Sequence, residues 1–119
     1  MGADIKIEDS ILNSTKQLLG LGEGYEIFDI NIIMHINTVF SNMKQMGIGP
    51  EEGFIVKNKE DLWDHYIKER KSSLQSIKDY VYMKVRIMFD PPANGNLLES
   101  LNKVASELEY RIYIEEGGH

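Results

Sequence analysis

The chain has 119 residues, a formal net charge of −6 and a pI of about 5.0, and its length fits one domain. It contains no cysteine, which excludes disulfides and thiolate metal sites. The acidic balance disfavours a broad nucleic-acid surface, which needs a basic footprint, and no apolar run reaches the roughly 18 residues that would cross a bilayer. We therefore expect a single domain over residues 1–119, with flexible ends at 1–8 and 115–119.

Apolar residues recur at helical spacing along most of the chain. The predicted helices cover residues 9–19 and 29–46, a short segment from residue 58, residues from 72 or 73 to 89, and residues from 96 to the glycines at 117–118. The predicted N-caps are Asp9, Asp29, Asn58, Ser72 or Ser73, and Asn96, with Asp61 and Glu99 completing capping boxes. The helix over 29–46 carries apolar residues on two neighbouring faces, which indicates that it is covered on more than one side.

Glycines and prolines mark the connections between these helices. Residues 47–53 form a glycine-punctuated loop, and the β-like run over residues 54–56 is too short to predict a sheet. Pro91 and Pro92 end the fourth helix, so the last helix is expected to fold back on it. The expected contacts join Leu101, Val104 and Leu108 to Val81, Val85 and Met88. The pattern predicts an all-α fold, a small bundle of four or five helices.

No group of residues in the sequence has the spacing of an active site. His35, His65 and His119 lack the i, i+4 partner of a zinc helix, and the glycines at 20–24 lack both the spacing and the lysine of a phosphate-binding loop. Helix capping explains most carboxylates near helix starts. We expect a protein that is not an enzyme, with no catalytic residue, no cofactor and no metal.

A cluster of basic residues favours a different class of function. It contains Lys68, Arg70, Lys71, Lys78, Lys84 and Arg86, interleaved with Tyr80 and Tyr82. Aromatic and basic side chains together are typical of single-stranded nucleic-acid binding. Glu69 and Asp79 interrupt the cluster and the net charge is negative, so nucleic-acid binding is the minor alternative.

Aromatic residues are more numerous than a thin helical core requires, and interfaces between subunits are enriched in them. The candidate assembly interface consists of Phe54, Ile55, Val56, Trp63, Tyr110 and Tyr113. The apolar run at 54–56 follows a glycine loop, and exposed apolar clusters often mark contact sites. The alternative is an ordinary core with half-exposed tyrosines.

A series of short segments has a distinctive order and spacing. They are IIMHIN at 32–37, GIGP at 47–50, GF at 53–54, Trp63, YVYMKVR at 80–86, FDPP at 89–92 and ELEYR at 107–111. From about residue 11 to residue 111, the chain resembles small phage and prophage proteins of Gram-positive bacteria, similar to the head–tail connector or head-completion proteins of long-tailed phages. The FDPP stop after a tyrosine-rich helix is the most specific of these segments.

The resemblance implies a structural adaptor that forms a ring of identical subunits. Its partners would be further copies of itself, the portal protein, and the next connector or tail protein, with genomic DNA passing through the channel without sequence-specific contact. It would reside at the head–tail junction of the virion, and in the bacterial cytoplasm during assembly. The alternatives are a tail-side completion protein, a DNA-packaging factor that binds nucleic acid, and a helical interaction domain with no phage role.

Overall fold

The computed structural model describes residues 5–67 and 74–116, and this part of the chain is helical without a strand. The helices are α1 (Ile11–Leu18), α2 (Asp29–Gln45), α3 (Trp63–Tyr66), α4 (Leu74–Phe89) and α5 (Gly95–Glu115), preceded by a 3₁₀ turn at Ile7–Asp9. The predicted all-α fold with a small number of helices is confirmed. The predicted caps Ser72 and Ser73 and the terminal glycines Gly117 and Gly118 lie outside the described residues.

Helix α4 is the centre of the packing. It contacts α1, α2 and α5, and its side chains Ile77, Val81 and Val85 are fully buried. Most of its other residues are half-buried, because helices lie on more than one side of it. Its bounds are close to those that the sequence predicts, from residue 72 or 73 to 89.

Helix α2 buries one face and leaves the opposite face in solvent. Ile32, Ile36 and Met43 are fully buried, but Ile30 is 76% exposed and Met34 is 62% exposed. The helix contacts both α1 and α4, as predicted for a helix covered on more than one side, but the predicted cover does not extend to Ile30 and Met34.

The start of α1 depends on a serine rather than the predicted Asp9. The Ser10 hydroxyl accepts a hydrogen bond from the Asn13 backbone N–H at 3.1 Å and donates one to the Lys59 carbonyl at 2.7 Å. Ser10 also forms an isolated antiparallel bridge with Leu62. Within the described residues, β pairing is limited to this bridge, and residues 54–56 take no part in it.

The start of α5 is displaced from the prediction in the same way. The side-chain oxygen of Asn94 accepts hydrogen bonds from the backbone N–H groups of Asn96 and Leu97, at 2.8 and 3.1 Å. Asn96 is therefore inside the helix, and the predicted capping box of Asn96 with Glu99 does not form. Asn94 and Asn96 have the same side chain, so local sequence alone did not separate them.

The N-cap of the short helix α3 is Leu62, four residues after the predicted Asn58, and the helix begins at Trp63. The Asp61 carboxylate accepts hydrogen bonds from the backbone N–H groups of Lys57 and Asn58, at 2.6 and 3.2 Å. These bonds stabilise a turn, so the predicted capping residues close a loop and do not start the helix.

Asp29 is the first residue of α2 and not the predicted cap, which is Phe28, and the Asp29 carboxylate forms an ion pair. The Lys16 ammonium lies 2.8 Å from Asp29 Oδ1 and donates a hydrogen bond to the Glu23 carbonyl at 3.1 Å. The Lys16 side chain is fully buried. A single lysine thus joins α1, the connection after it and the start of α2.

Helices α4 and α5 pack against each other, as predicted from the proline stop. Val81 and Val85 are buried and Leu108 packs against the core. Val104 and Met88, both expected in the contact, are exposed; the α5 residues that are buried are Ala105 and Ile112. The apolar stripe of α5 is thus rotated slightly from the predicted one.

One polar contact accompanies this helix packing. The Tyr80 hydroxyl donates a hydrogen bond to Glu109 Oε1 at 2.6 Å. Burial, together with this carboxylate, raises the pKa of Tyr80 above its usual value, so the phenol stays neutral and continues to donate.

Candidate assembly surface

The connection between α2 and α3 is fastened to the side of α2 by one amide. The Asn37 side chain donates a hydrogen bond to the Val56 carbonyl at 3.1 Å and accepts one from the Val56 N–H at 2.8 Å. These two bonds satisfy the backbone of Val56 without a partner strand. They explain why the β-like run at 54–56 lies flat on a helix.

Aromatic rings pack beneath this connection. Phe40 and Tyr66 are stacked with their centroids 4.1 Å apart, and Phe54 meets both rings edge-on at 6.1 and 5.6 Å. Burial is the main cause that raises the pKa of Tyr66 above its usual value. Gly49 has a φ of +89°, and a Cβ there would lie 2.7 Å from the Tyr66 hydroxyl oxygen.

The candidate interface residues of the α2–α3 region separate into core and surface. Val56 and Trp63 are buried, and the Trp63 ring N–H donates a hydrogen bond to the Ser14 hydroxyl at 3.0 Å. Phe54 is half-buried against the core, whereas Ile55 is 67% exposed. In this fold Val56 and Trp63 offer no surface to a partner, so Ile55 is the side chain at this site that can contact one.

The two candidates on α5 are also different from each other. Tyr110 is 68% exposed, and Tyr113 is half-buried. The fold brings Phe54, Ile55 and Trp63 to one region and places the two tyrosines on another helix. A role in assembly for any of these residues stays a prediction.

A shallow groove of about 450 Å³ lies between α2 and the loop that covers it. Its lining includes Ser41 and Lys44 of α2, and Phe54 and Ile55 of the loop. The exposed Ile55 therefore stands beside the outward side of α2.

The outward side of α2 is a feature that the sequence analysis missed. Its exposed residues between positions 30 and 43 lie within an arc of roughly 120° around the helix axis. They are Ile30, Asn31, Met34, Thr38, Ser41 and Asn42, here named the neutral face. None carries a charge, and residues 30–43 contain no Asp, Glu, Lys or Arg although 27% of the chain is charged. This gap in charge was visible in the sequence.

A second apolar surface lies on the outer side of α5. Tyr110 and Ile114 are both exposed and, four residues apart, are neighbours on the helix surface; this pair is here named the α5 ridge. Charged residues border it, and these are Lys103, Glu107, Arg111 and Glu115.

The structure does not gather the basic residues of α4 into one patch. At 3.6 residues per turn, Lys78, Lys84 and Arg86 point in directions roughly 80° or more apart. The Lys78 ammonium donates a hydrogen bond to the Glu8 carbonyl at 3.0 Å and lies 5.8 Å from the Trp63 ring. The other three residues of the predicted basic cluster lie outside the described residues; they are Lys68, Arg70 and Lys71. The described lysines and arginine therefore form no continuous basic stripe for nucleic acid.

The described part of the chain contains neither a cluster of metal ligands nor a helix that could span a membrane. Over residues 5–67 and 74–116, no three His, Cys, Asp or Glu side chains are grouped so that they could hold a metal ion. No helix there combines the length and the apolar character that crossing a membrane requires.

Comparison with known proteins identifies the family. Neither the curated proteins nor the solved structures include a match to this chain. A family model described as a phage connector protein matches residues 11–119, a span that contains every α-helix of the fold. The chain therefore belongs to this phage connector protein family, whose members are structural components of the virion.

Proposed function

We propose that this protein forms a ring of identical subunits at the portal vertex and joins the DNA-filled head to the tail of a long-tailed phage or prophage of Gram-positive bacteria. Family membership carries the proposal, since the match covers residues 11–119. Portal protein and the next connector or tail protein are the expected neighbours. During assembly the subunits would reside in the cytoplasm of the host.

The distribution of exposed apolar residues supports a ring. A head-to-tail contact uses two different patches on each subunit and closes when the rotation between neighbours permits. The neutral face and the α5 ridge are two such patches, on two helices that both pack against α4. One subunit can therefore offer both surfaces at the same time.

The charge of the chain supports passage of DNA without tight binding. A subunit with a net charge of −6 repels the phosphate backbone at short range. Because the described basic residues of α4 point in different directions, they offer no track for that backbone. We therefore expect that duplex DNA and the purified protein form no salt-sensitive complex. A DNA-packaging factor would form such a complex.

Electron microscopy of an induced lysogen tests the proposal. A stop codon early in the gene is expected to leave heads and complete tails unattached, and the wild-type chain supplied in trans is expected to restore whole virions. Normal virions from the mutant would overturn the proposal. Unfinished tails beside filled heads would also overturn it, by placing the protein in tail completion.

A further inference from the structure

The neutral face is unusual for a surface that remains in water. The outer side of α5 carries charged residues along its length, whereas the outer side of α2 has none between positions 30 and 43. Depletion of charged residues and enrichment in Met are features of an interface core, and the neutral face has no charge and includes Met34. Ile30 and Met34 are four residues apart and form its apolar centre, with Ile55 of the adjoining loop beyond Ser41.

The chemistry of this face restricts what can bind it. A charge placed over Ile30 and Met34 would lose water and gain no partner, which is costly. The Thr38 hydroxyl already donates a hydrogen bond to the Met34 carbonyl at 3.0 Å. The amides of Asn31 and Asn42 and the Ser41 hydroxyl can both donate and accept, so the edges of the face accommodate charged groups of either sign. The matching surface has an apolar centre and a border of mixed charge.

The α5 ridge has this composition. Tyr110 and Ile114 supply an apolar centre of two side chains at i, i+4 spacing, as Ile30 and Met34 do on α2. The bordering side chains alternate in sign, from Lys103 and Glu107 to Arg111 and Glu115. They would reach the amides and hydroxyl at the edge of the neutral face, while the two apolar centres meet.

We infer that the neutral face of α2 binds the α5 ridge of a second copy of this chain, head to tail. The closure of such contacts into a ring rests on the proposed function. A symmetric contact of either surface with its own copy would end at two subunits, whereas this contact leaves one free surface at each end and continues.

Two single variants, each disabling one surface, test the inference by mixing. Ile30→Asp places a charge at the centre of the neutral face, and Tyr110→Asp does the same on the α5 ridge. Both side chains are exposed in the subunit, so helix content and melting temperature are expected to match those of wild type. Each variant alone is expected to remain a 13.7 kDa monomer at concentrations where wild type associates. Sedimentation velocity gives the masses.

A mixture in equal amounts is expected to form a dimer and nothing larger. The Tyr110→Asp chain keeps an intact neutral face, and the Ile30→Asp chain keeps an intact ridge, so one productive contact forms between them. Matched controls are Leu18→Asp and Leu97→Asp, which add the same charge at exposed apolar positions outside both surfaces. These controls are expected to associate as wild type does.

Several outcomes would overturn the inference. They are a mixture that stays monomeric, a single variant that dimerises on its own, a control that loses association equally, and a wild-type chain that remains monomeric at every concentration. None of them depends on the lysogen experiment. The stop-codon mutant could give unattached heads and tails while both single variants associate as wild type does. In that case the proposed function stands, and these two surfaces have no part in it.

Discussion

Single side chains determine the paths of the two long connections in this fold. Lys16 joins the connection after α1 to the start of α2 through Glu23 and Asp29. Asn37 fastens the next connection at Val56. In each case a polar group satisfies backbone or charge that would otherwise be buried without a partner. These residues position the surfaces around them, although they do not form those surfaces.

Gly49 has a backbone that other residues rarely adopt, and it has no space for a Cβ. Gly49→Ala is expected to lower the free energy of unfolding, because the left-handed conformation costs about 1–2 kcal/mol and the Cβ would lie 2.7 Å from the Tyr66 hydroxyl oxygen. Gly47→Ala is the matched control, with a φ of +82° and open space. Urea denaturation should show that the Gly49 variant is about 1–3 kcal/mol less stable than the Gly47 variant. Equal losses would show that Tyr66 moves aside freely.

Removing Asp29 from its ion pair with Lys16 is expected to cost more stability than removing Lys16. Asp29→Asn leaves a buried ammonium without its counter-ion and should cost about 3–5 kcal/mol. Lys16→Met should cost less, because the Asp29 side chain is 24% exposed and stays partly hydrated. The double variant should be more stable than Asp29→Asn alone, since removing both charges removes the unpaired one. Additive losses in the urea-denaturation cycle would contradict this coupling.

At the scale of an element, α5 shows how well a periodic apolar pattern predicts which residues of a helix are buried. Its buried residues Ala105 and Ile112 are seven apart, on the stripe that a helix repeats every two turns. Val104, next to Ala105, is exposed. Neighbouring apolar residues on one helix thus differ in burial by their direction alone.

Two isoleucines on α5 test which side of the helix faces the core. Ile112→Ala should cost about 2–5 kcal/mol, because it leaves a cavity at a fully buried site. Ile114→Ala is the matched control on the exposed side, and it should change stability by no more than about 0.5 kcal/mol. Thermal or urea unfolding measures both. Similar losses in the two variants would mean that α5 packs in a different rotation.

The sequence predicts the long elements well and the short ones poorly, for a physical reason. A stripe such as Ile77, Val81 and Val85 repeats over several turns, so many residues specify one helix. A cap is one side chain, and Ser10 replaces Asp9 because its hydroxyl also reaches Lys59 from a distant segment. The buried position of Lys16 depends equally on tertiary contacts, and nothing adjacent in the sequence signals it.

The candidate interface residues differ in burial for a related reason. The apolar character of Ile55 and Tyr110 predicts a contact, and both side chains are exposed; their role in assembly stays a prediction. Trp63 has the same character but is buried, because its ring N–H has a partner in Ser14. Composition identifies residues that prefer a contact, whereas the fold decides whether that contact is internal.

At the scale of the whole molecule, one core supports two outward surfaces. Helices α2 and α5 both pack against α4, so the neutral face and the α5 ridge are held by the same buried residues. A variant that weakens the core would disturb both surfaces, and assembly would be lost with stability. A test of assembly must therefore separate the two effects.

Phe54 and Ile55 are adjacent residues that make this separation possible. Ile55→Asp should leave the melting temperature nearly unchanged, because the side chain is mostly in solvent, and should weaken assembly measured by sedimentation. Phe54→Asp should lower stability by several kcal/mol, on the order of the cost of burying an unpaired charge, because the ring packs against Phe40 and Tyr66. Its loss of assembly should follow its loss of folded protein.

The two measurements together decide the role of this loop. An Ile55→Asp chain that folds and assembles as wild type does would remove the loop from the interface. A Phe54→Asp chain that keeps its stability would show that its ring is not part of the core. If only Ile55→Asp separates assembly from folding, the loop contacts a neighbouring subunit through the one side chain that the fold leaves exposed there, and Ile55 extends the neutral face across the groove beside α2.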